Sequence, residues 1–383
     1  MRTLFIEYHY LKGNQGAIYA ARTHINLFAE LSEEMTLIYP NKKGKEPEGI
    51  LDLDRINMIP VDDKRNKFQK FVGLCFGKMH RYNYNRDIPD LNNYDVVVFD
   101  TSDVSSRLIK KVRKTKNLKI ITIHHNYQID FLWGNCRKLL LLPCLFWTRI
   151  YESEAVRESD LNISLTPQDA ILLKKHYSPN ANFSTLGVFD YQRKEYPQID
   201  KKERGHNYLI TGGLAAKQNE DSIIPWLKKY YPILKEIDNK ANLTLAGRSP
   251  SQRLVEAVKK VGANIIPSPP DMNSILLNED YYICPTDRGG GLKLRIMDGL
   301  KYGLPVLTHS VSARGYENMI EAGLIFSYND EKSFVESLRK MIDTNIIQSE
   351  AQNMYSKYFS FENGLRTLSN ILAINGFISE PKL

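Results

Sequence analysis

Residues 287–305 read DRGGGLKLRIMDGLKYGLP, a stretch whose residue types suit the capture of a phosphorylated sugar ligand. Gly289, Gly290 and Gly291 form a run where the backbone can approach a ligand closely. Arg288, Lys293 and Arg295 place cations on either side, Lys293 as a mobile point charge and Arg295 as a planar fork, a set suited to a diphosphate. Asp298 stands three positions after Arg295, on the same face of a helix, where a carboxylate can accept hydrogen bonds from paired sugar hydroxyls. A plainer reading also fits these residues: a solvated helix face in which Arg295 and Asp298 form an ion pair.

The chain around them predicts how they are held. The apolar run YYIC at 281–284 reads as a strand, and Leu292, Ile296, Met297 and Leu300 recur at helical spacing, so the expectation is strand, glycine loop, helix. The first turn of that helix would offer unpaired N–H groups and a positive dipole end to an anion. Gly303 and Pro305 close it with a left-handed cap and a stop.

A second polar cluster, His124-His125-Asn126, follows the β-branched run KIITI at 119–123. Ligands of open parallel sheets bind at the carboxyl ends of the strands. A histidine there can orient or polarise a substrate hydroxyl and Asn126 can hold a polar group, although a turn cap and a solvated ring would also account for the pair.

Read in order, the chain alternates strand and helix. Strands are expected at 3–8, 36–39, 94–99, 119–123, 161–164 and 183–186, with helices at 17–31, 104–114, 151–158 and 167–175. The nearly unbroken β-branched runs at 94–99 and 119–123 read as buried parallel strands. Gly13 and Gly16 lie in the loop after the first strand. Residues 41–90 are polar and basic, with Lys42, Lys43, Lys45, Lys64, Arg65, Lys67 and Lys70, and are read as an excursion with some helix around 68–79. The apolar run 139–147, flanked by Arg137, Lys138 and Arg149, fits either a helix against a core or a surface that meets a membrane or a lipid-linked substrate. Residues 191–207 read as a charged linker. A second series follows, with strands at 208–211, 243–246, 264–266 and 281–284, helices at 222–237 and 252–261, and glycine turns at Gly212-Gly213 and Gly247-Arg248. The tail beyond 345 reads as helical. The fold class is therefore α/β, with domains expected at 1–190 and 208–360 and a final helix in 361–383.

Composition narrows the function classes. At 383 residues, with 42% hydrophobic and 25% charged, the chain suits two globular domains. A net charge of +8 favours an anionic partner. Nucleic acid is not expected, because no basic module with interleaved aromatics is present. Cys75, Cys136, Cys144 and Cys284 have neither zinc-ligand nor redox spacing, and with no targeting segment or membrane span this leads to an expectation of a cytoplasmic protein, with peripheral contact at the inner membrane face left open.

The C-terminal half resembles the nucleotide-sugar-binding domain of retaining glycosyltransferases of family four, which have the GT-B fold of two Rossmann-like domains facing each other across a cleft. Such proteins often carry a glycine-rich loop, a Lys-x-Lys/Arg pair, and Glu-Ala-hydrophobic-x-x-Gly-x-Pro-Val; the matching residues run from Gly289 through Lys293, Arg295 and Asp298 to Gly303, Pro305 and Val306. Asn219-Glu220-Asp221, Trp226 and Pro232 are similar to the opening of that domain, His125-Asn126 to a His-Asn at an N-domain strand tip, and Tyr151-Glu152 with Ser159-Asp160 to the segment after it. Two departures stand out. The family's paired glutamates, eight positions apart, are Gly290 and Asp298 here, and its Gly-Arg turn is Gly212-Gly213, so that Lys217 or Arg248 would have to supply the missing cation.

The resemblance implies a glycosyl transfer with retention from a nucleotide diphosphate sugar to a glycan or lipid-linked acceptor, in bacterial surface polysaccharide synthesis. The diphosphate would lie over Gly289, Gly290, Gly291 and Leu292 beside Lys293 and Arg295, the ribose near Asp298, and the acceptor near Gly13, Gly16, His125 and Asn126. The departing phosphate would help take the acceptor's proton, and no metal or other cofactor is expected. The last helix should return to the N-domain. Two other classes stay open: a GT-B sugar-nucleotide epimerase, and a non-catalytic nucleotide-sugar-binding protein.

Overall fold

The computed structural model describes residues 1–13, 15–41, 46–51, 55–62, 66–77, 87–105, 108–135, 142–197, 199 and 204–381. Lys42, Lys43, Lys45, Lys64, Arg65, Cys136, Arg137, Lys138 and residues 139–141 and 200–203 lie outside them, as do the last two residues of the helix expected at 68–79.

The chain divides into two compact units. Unit 1 comprises residues 1–194, 290–292 and 359–383, and unit 2 comprises 195–289 and 293–358.

Unit 1 is built on a parallel sheet of seven strands, β1 (Arg2–Ile6), β2 (Glu34–Asn41), β3 (Ile56–Asp62), β4 (Val96–Asp100), β5 (Lys119–His124), β6 (Leu161–Ser164) and β7 (Phe183–Thr185), in the order β3-β2-β1-β4-β5-β6-β7. Leu4, Phe5, Ile6, Val97, Val98, Phe99, Ile120 and Ile121 are fully buried, as central parallel strands covered on both faces require. The order reverses between β1 and β4, which makes the carboxyl ends of these two strands the expected binding edge. β3 was not foreseen in the polar excursion. It is an edge strand with only Ile56 and Val61 buried and a proline at Pro60, so it lacks the buried run that marks its neighbours. The segment expected as one helix at 104–114 holds two short ones, Ser102–Ser105 and Ile109–Val112. The ambiguous apolar run opens a single helix, Leu142–Glu158, whose proline sits in the first turn where no intrahelical N–H is lost.

The final helix, Phe361–Ile374, packs within unit 1. Phe361, Leu365, Leu368 and Leu372 are buried, Ser360 caps it by accepting from the Asn363 N–H, and the Asp190 N–H donates to the Phe359 carbonyl at 2.8 Å.

Unit 2 carries a six-stranded parallel sheet, β8 (Asn207–Gly212), β9 (Asn242–Gly247), β10 (Asn264–Pro267), β11 (Tyr281–Cys284), β12 (Val306–His309) and β13 (Ile325–Tyr328), in the order β10-β9-β8-β11-β12-β13. Its reversal point lies between β8 and β11. Ile210, Leu243, Leu245 and Ile283 pack with Trp226, Leu227 and Leu234 of the helix Lys217–Ile237 and with Phe334 and Leu338 of the helix Glu331–Ile342. The helix after the glycine loop spans only Arg295–Lys301. Leu292 and Lys293 therefore precede it in irregular loop, and the anion-binding first turn expected at Leu292 is not there. With so short a helix, charge must come from side chains more than from a dipole. Gly303, at φ 67°, ends it as expected.

Candidate functional site

In unit 2, residues from the two strands that flank the reversal point converge. Gly212 ends β8 at φ 134°, and a Cβ there would lie 3.3 Å from the Arg295 guanidinium carbon. That contact explains the glycine: a side chain would displace Arg295. Arg295 Nη2 donates to Asn219 Oδ1 at 2.5 Å, and Asn219 Nδ2 donates to the Gly213 carbonyl at 2.8 Å. The turn after β8 and the start of the helix Lys217–Ile237 thus hold the guanidinium in place. Its Nη1 is buried and makes no hydrogen bond. A buried N–H without a partner is costly, and an anionic oxygen is its natural complement.

The glycine loop after β11 is pinned by the same helix. Gln218 Nε2 donates to the Arg288 carbonyl at 2.7 Å, and the Ser222 hydroxyl donates to Asp287 at 2.9 Å. Gly289, at φ 83°, lies so close to Gln218 that a Cβ would fall 2.4 Å from its amide nitrogen and 3.6 Å from Lys293 Nζ. Gly289, Lys293, Arg295 and Gly212 are thereby brought together. Of the other cations, Lys217 is exposed and pairs with Asp221 at 2.7 Å, Arg288 forks onto Asp287, and Arg248, with an exposed side chain, donates its N–H to the Gly212 carbonyl at 3.2 Å. Asp298 is exposed on its short helix.

In unit 1, the carboxyl ends of β1, β4 and β5 hold a buried polar cluster. His125 Nε2 and Asp100 Oδ1 are 2.7 Å apart. His9 Nδ1 lies 2.9 Å from Glu7 Oε1 and 3.6 Å from Asp100 Oδ2, and its ring stacks on that of His125 with centroids 5.4 Å apart. His24 closes the other side, 3.9 Å from Asp100. Burial pushes Asp100 up, but His125, His24 and His9 outweigh it and hold the carboxyl well below its usual range. Burial pushes His9 down, and Asp100 with Glu7 overcomes this, raising it to about 10. Burial, with Asp100 adding to it, lifts Glu7 to about 8. For His125 burial dominates and the ring is lowered, so His9 carries the positive charge and His125 is neutral. A neutral His125 that donates Nε2–H to Asp100 presents Nδ1 as an acceptor.

His124 points elsewhere, to Asn162 Oδ1 at 2.9 Å, and burial lowers it to about 4, a structural role. Asn126 follows in a turn fixed by two carboxyl groups: Asp169 accepts the Tyr127 N–H and Glu152 the Gln128 N–H, each at 2.9 Å. Asn126 Oδ1 is buried and makes no hydrogen bond. Gly290 and Gly291 group with this unit, where a Cβ on Gly291 would strike the His125 carbonyl at 2.8 Å and one on Gly290 would touch Asn126 at 3.4 Å. Leu292 belongs to the same segment. Gly13, at φ 92°, is in the loop after β1, and Gly16 begins the helix Gly16–Leu31.

His9, Asp100, Glu7 and His24 were not singled out from the sequence. The strand-end rule that picked His125 applies equally to Asp100, the last residue of VVVFD, and to His9, three residues past β1. His9, Asp100 and His125 also offer ligand atoms within 4.8 Å of one another, a donor set able to take a divalent transition metal. Asp52 and Asp54, an Asp-x-Asp pair, lie outside the described residues.

Glu152 gives a test of this wall of the cluster. Burial raises it to about 8 against its ordinary 4.5, despite the Gln128 N–H and the Tyr177 hydroxyl at 2.8 Å. A group protonated in the fold and ionised when unfolded stabilises below about 4.5 and loses that contribution as pH rises to about 8. Urea unfolding across this window should therefore show a loss of up to about 1.4 kcal/mol per pH unit that Glu152→Gln removes.

Residues 205–344 match the family model described as Glycosyl transferases group 1. A protein of Klebsiella pneumoniae, described as an uncharacterized 44.6 kDa protein in the cps region, is 26% identical over 287 residues, 71% of each chain. Among solved structures, sucrose-phosphate synthase from Thermosynechococcus elongatus superposes with a TM-score of 0.68 at 11% identity, covering 97% of this chain and 98% of its own. The pneumococcal O-GlcNAc transferase GtfA, solved with UDP and GlcNAc, gives 0.63 at 9% identity over 99% of both chains. The fold is that of GT-B glycosyltransferases, and residues 205–344 within it carry the group 1 match. Among the described residues no helix is long and apolar enough to cross a membrane.

Proposed function

We propose that this protein transfers a glycosyl group from a nucleoside diphosphate sugar to a glycan or lipid-linked acceptor, with retention at the anomeric carbon, in polysaccharide synthesis. One observation carries the reading: Arg295 is clamped by Asn219 over Gly212 with a buried, unpartnered Nη1 beside the Gly289 loop and Lys293. These groups offer a diphosphate a forked cation, a mobile cation and open backbone. As the bond to the sugar lengthens, negative charge grows on the leaving diphosphate, and cations fixed in advance stabilise it without reorganising. In unit 1 the neutral His125, oriented by Asp100, would accept a hydrogen bond from a sugar hydroxyl, and Asn126 Oδ1 would take a second. The site as read assigns no step to a metal.

The group 1 match, the fold and the relative in a cps region support this reading. One observation favours a second, a non-catalytic nucleotide-sugar-binding protein: Gly290 stands where the resembling family has a carboxylate.

Thermal unfolding with a panel of nucleoside diphosphates and nucleotide sugars tests both. A ligand at about a hundred times its dissociation constant adds about 2.7 kcal/mol, a clear rise in melting temperature. A shift specific to one base, followed by transfer of its sugar with the anomeric configuration kept by NMR, is the expected result. A shift without turnover of any acceptor selects the binding protein, and no shift with any nucleotide removes both.

A further inference from the structure

The turn that leaves β4 holds a residue in an unfavourable conformation. Thr101, directly after Asp100, has φ 78°, a left-handed backbone that a β-branched residue rarely adopts. It is pinned there by β5, whose Ile123 carbonyl accepts the Thr101 N–H at 3.0 Å. Strain kept at a strand end where glycine would relieve it points to a use for the side chain. Yet the Thr101 hydroxyl is buried and makes no hydrogen bond.

Asp103 has the same signature. It lies on the short helix Ser102–Ser105, which packs against β5 and the helix Leu142–Glu158, and its Oδ1 is buried without a hydrogen bond. Burial lifts its carboxyl to about 6, with His9 opposing. Neither oxygen helps the fold, because a buried polar atom left unpaired costs stability, and a ligand hydroxyl is a natural complement to each.

The same strand ends carry His125, bound to Asp100, and Asn126, whose Oδ1 is likewise buried and makes no hydrogen bond. Thr101 Oγ1, Asp103 Oδ1, Asn126 Oδ1 and the Nδ1 of neutral His125 can all accept a hydrogen bond. The charges around them are mostly acidic. Asp103 and Asp169 both add to the burial that raises Glu152, and His9 is the cation that acts on Asp103. Hydrogen-bond acceptors under a surplus of acid suit the hydroxyls of an uncharged sugar and repel a carboxylate.

We propose that Thr101 and Asp103 form, with His125 and Asn126, the subsite of unit 1 that holds a neutral, hydroxyl-rich acceptor sugar and turns away a uronate. The inference rests on the proposed transfer, since it takes unit 1 to hold the sugar that receives the glycosyl group. The full chain is titrated by saturation-transfer NMR with paired methyl glycosides, glucoside against glucuronide and galactoside against galacturonide, and its melting temperature is read with the nucleoside diphosphate panel in parallel. At least one neutral glycoside should bind about tenfold or more tightly than its uronide, since like charge across a buried contact is rejected. Asp103→Asn exchanges a charged for a neutral hydrogen-bond acceptor and should weaken the neutral glycoside by about tenfold while narrowing the preference over the uronide. Thr101→Val keeps the shape and the strained backbone but removes the unpaired hydroxyl. It should weaken the glycoside by about threefold with the melting temperature unchanged or higher, a combination that a purely structural Thr101 would not give. A uronide that binds as tightly as its neutral partner, no binding by any glycoside, or variants that bind like the parent would each overturn the proposal. With the nucleotide shift intact, those results leave the proposed transfer standing. A parent that responds to no nucleotide removes the transfer reading and this inference together.

Discussion

Replacing Lys293 and Arg295 together by alanine should abolish the thermal shift given by the nucleoside diphosphate and lower kcat/KM by about 10²–10⁴. The range follows from two charge-assisted hydrogen bonds to phosphate, each worth about 1.5–3 kcal/mol. The fold should survive, because neither side chain is part of the unit 2 core. Two further variants separate charge from placement. Asn219→Ala keeps both cations but removes the 2.5 Å anchor of the guanidinium, and should weaken nucleotide binding by about tenfold as Arg295 loses its fixed position. Gly212→Ala puts a Cβ 3.3 Å from the guanidinium carbon in a backbone conformation that disfavours a side chain, and should do the same or worse. Lys217→Ala should change little, since Lys217 is exposed and already paired with Asp221. If the double variant retains the full shift, the nucleotide binds elsewhere and the assignment fails.

The contrast between Lys217 and Arg295 shows where sequence reading reaches and where it stops. Local pattern sufficed for the buried strands: VVVFD and KIITIH are continuous apolar runs because both faces of a central parallel strand are covered, and they are legible for that reason. β3, an edge strand, has no such signature. The glycine loop and its neighbouring cations were legible as residue types. Which cation stands ready was not, because that depends on long-range pairing: Lys217 is taken by a residue one helical turn away, whereas Arg295 is positioned by Asn219, 76 residues earlier. The helix start was misplaced for a similar reason. Periodicity places Leu292 with Ile296, but the glycines keep the chain in an irregular loop that gives way to helix only at Arg295. In unit 1 the motif pair His125-Asn126 was visible because its members are adjacent in sequence. Its partners were not, since Glu7 and His9 come from the loop after β1, His24 from the helix Gly16–Leu31 and Asp100 from β4; only the parallel sheet order brings them to one edge.

That assembly leads to the second large effect. Asp100→Asn should lower kcat by about 10²–10³ while leaving the nucleotide-induced thermal shift in place. The carboxylate fixes His125 with its proton on Nε2, so that Nδ1 is free to accept. An asparagine can turn either its oxygen or its amide toward the ring, and in the second case the proton moves to Nδ1 and the acceptor is lost. His125→Ala should have an effect of the same size, and the double variant should be no worse than either single one, because both act through a single group. The pH profile separates this role from a merely structural one. Burial holds His125 below its ordinary 6.5, so wild-type activity should be flat through neutral pH and fall only as pH drops below that value and the ring takes a proton. In Asp100→Asn the partner that favours the protonated ring is gone, so the acid limb should move to still lower pH. A variant that melts early but keeps the wild-type profile would assign Asp100 to the scaffold alone. A loss of kcat with an altered profile and an intact nucleotide shift would assign it to the positioning of His125.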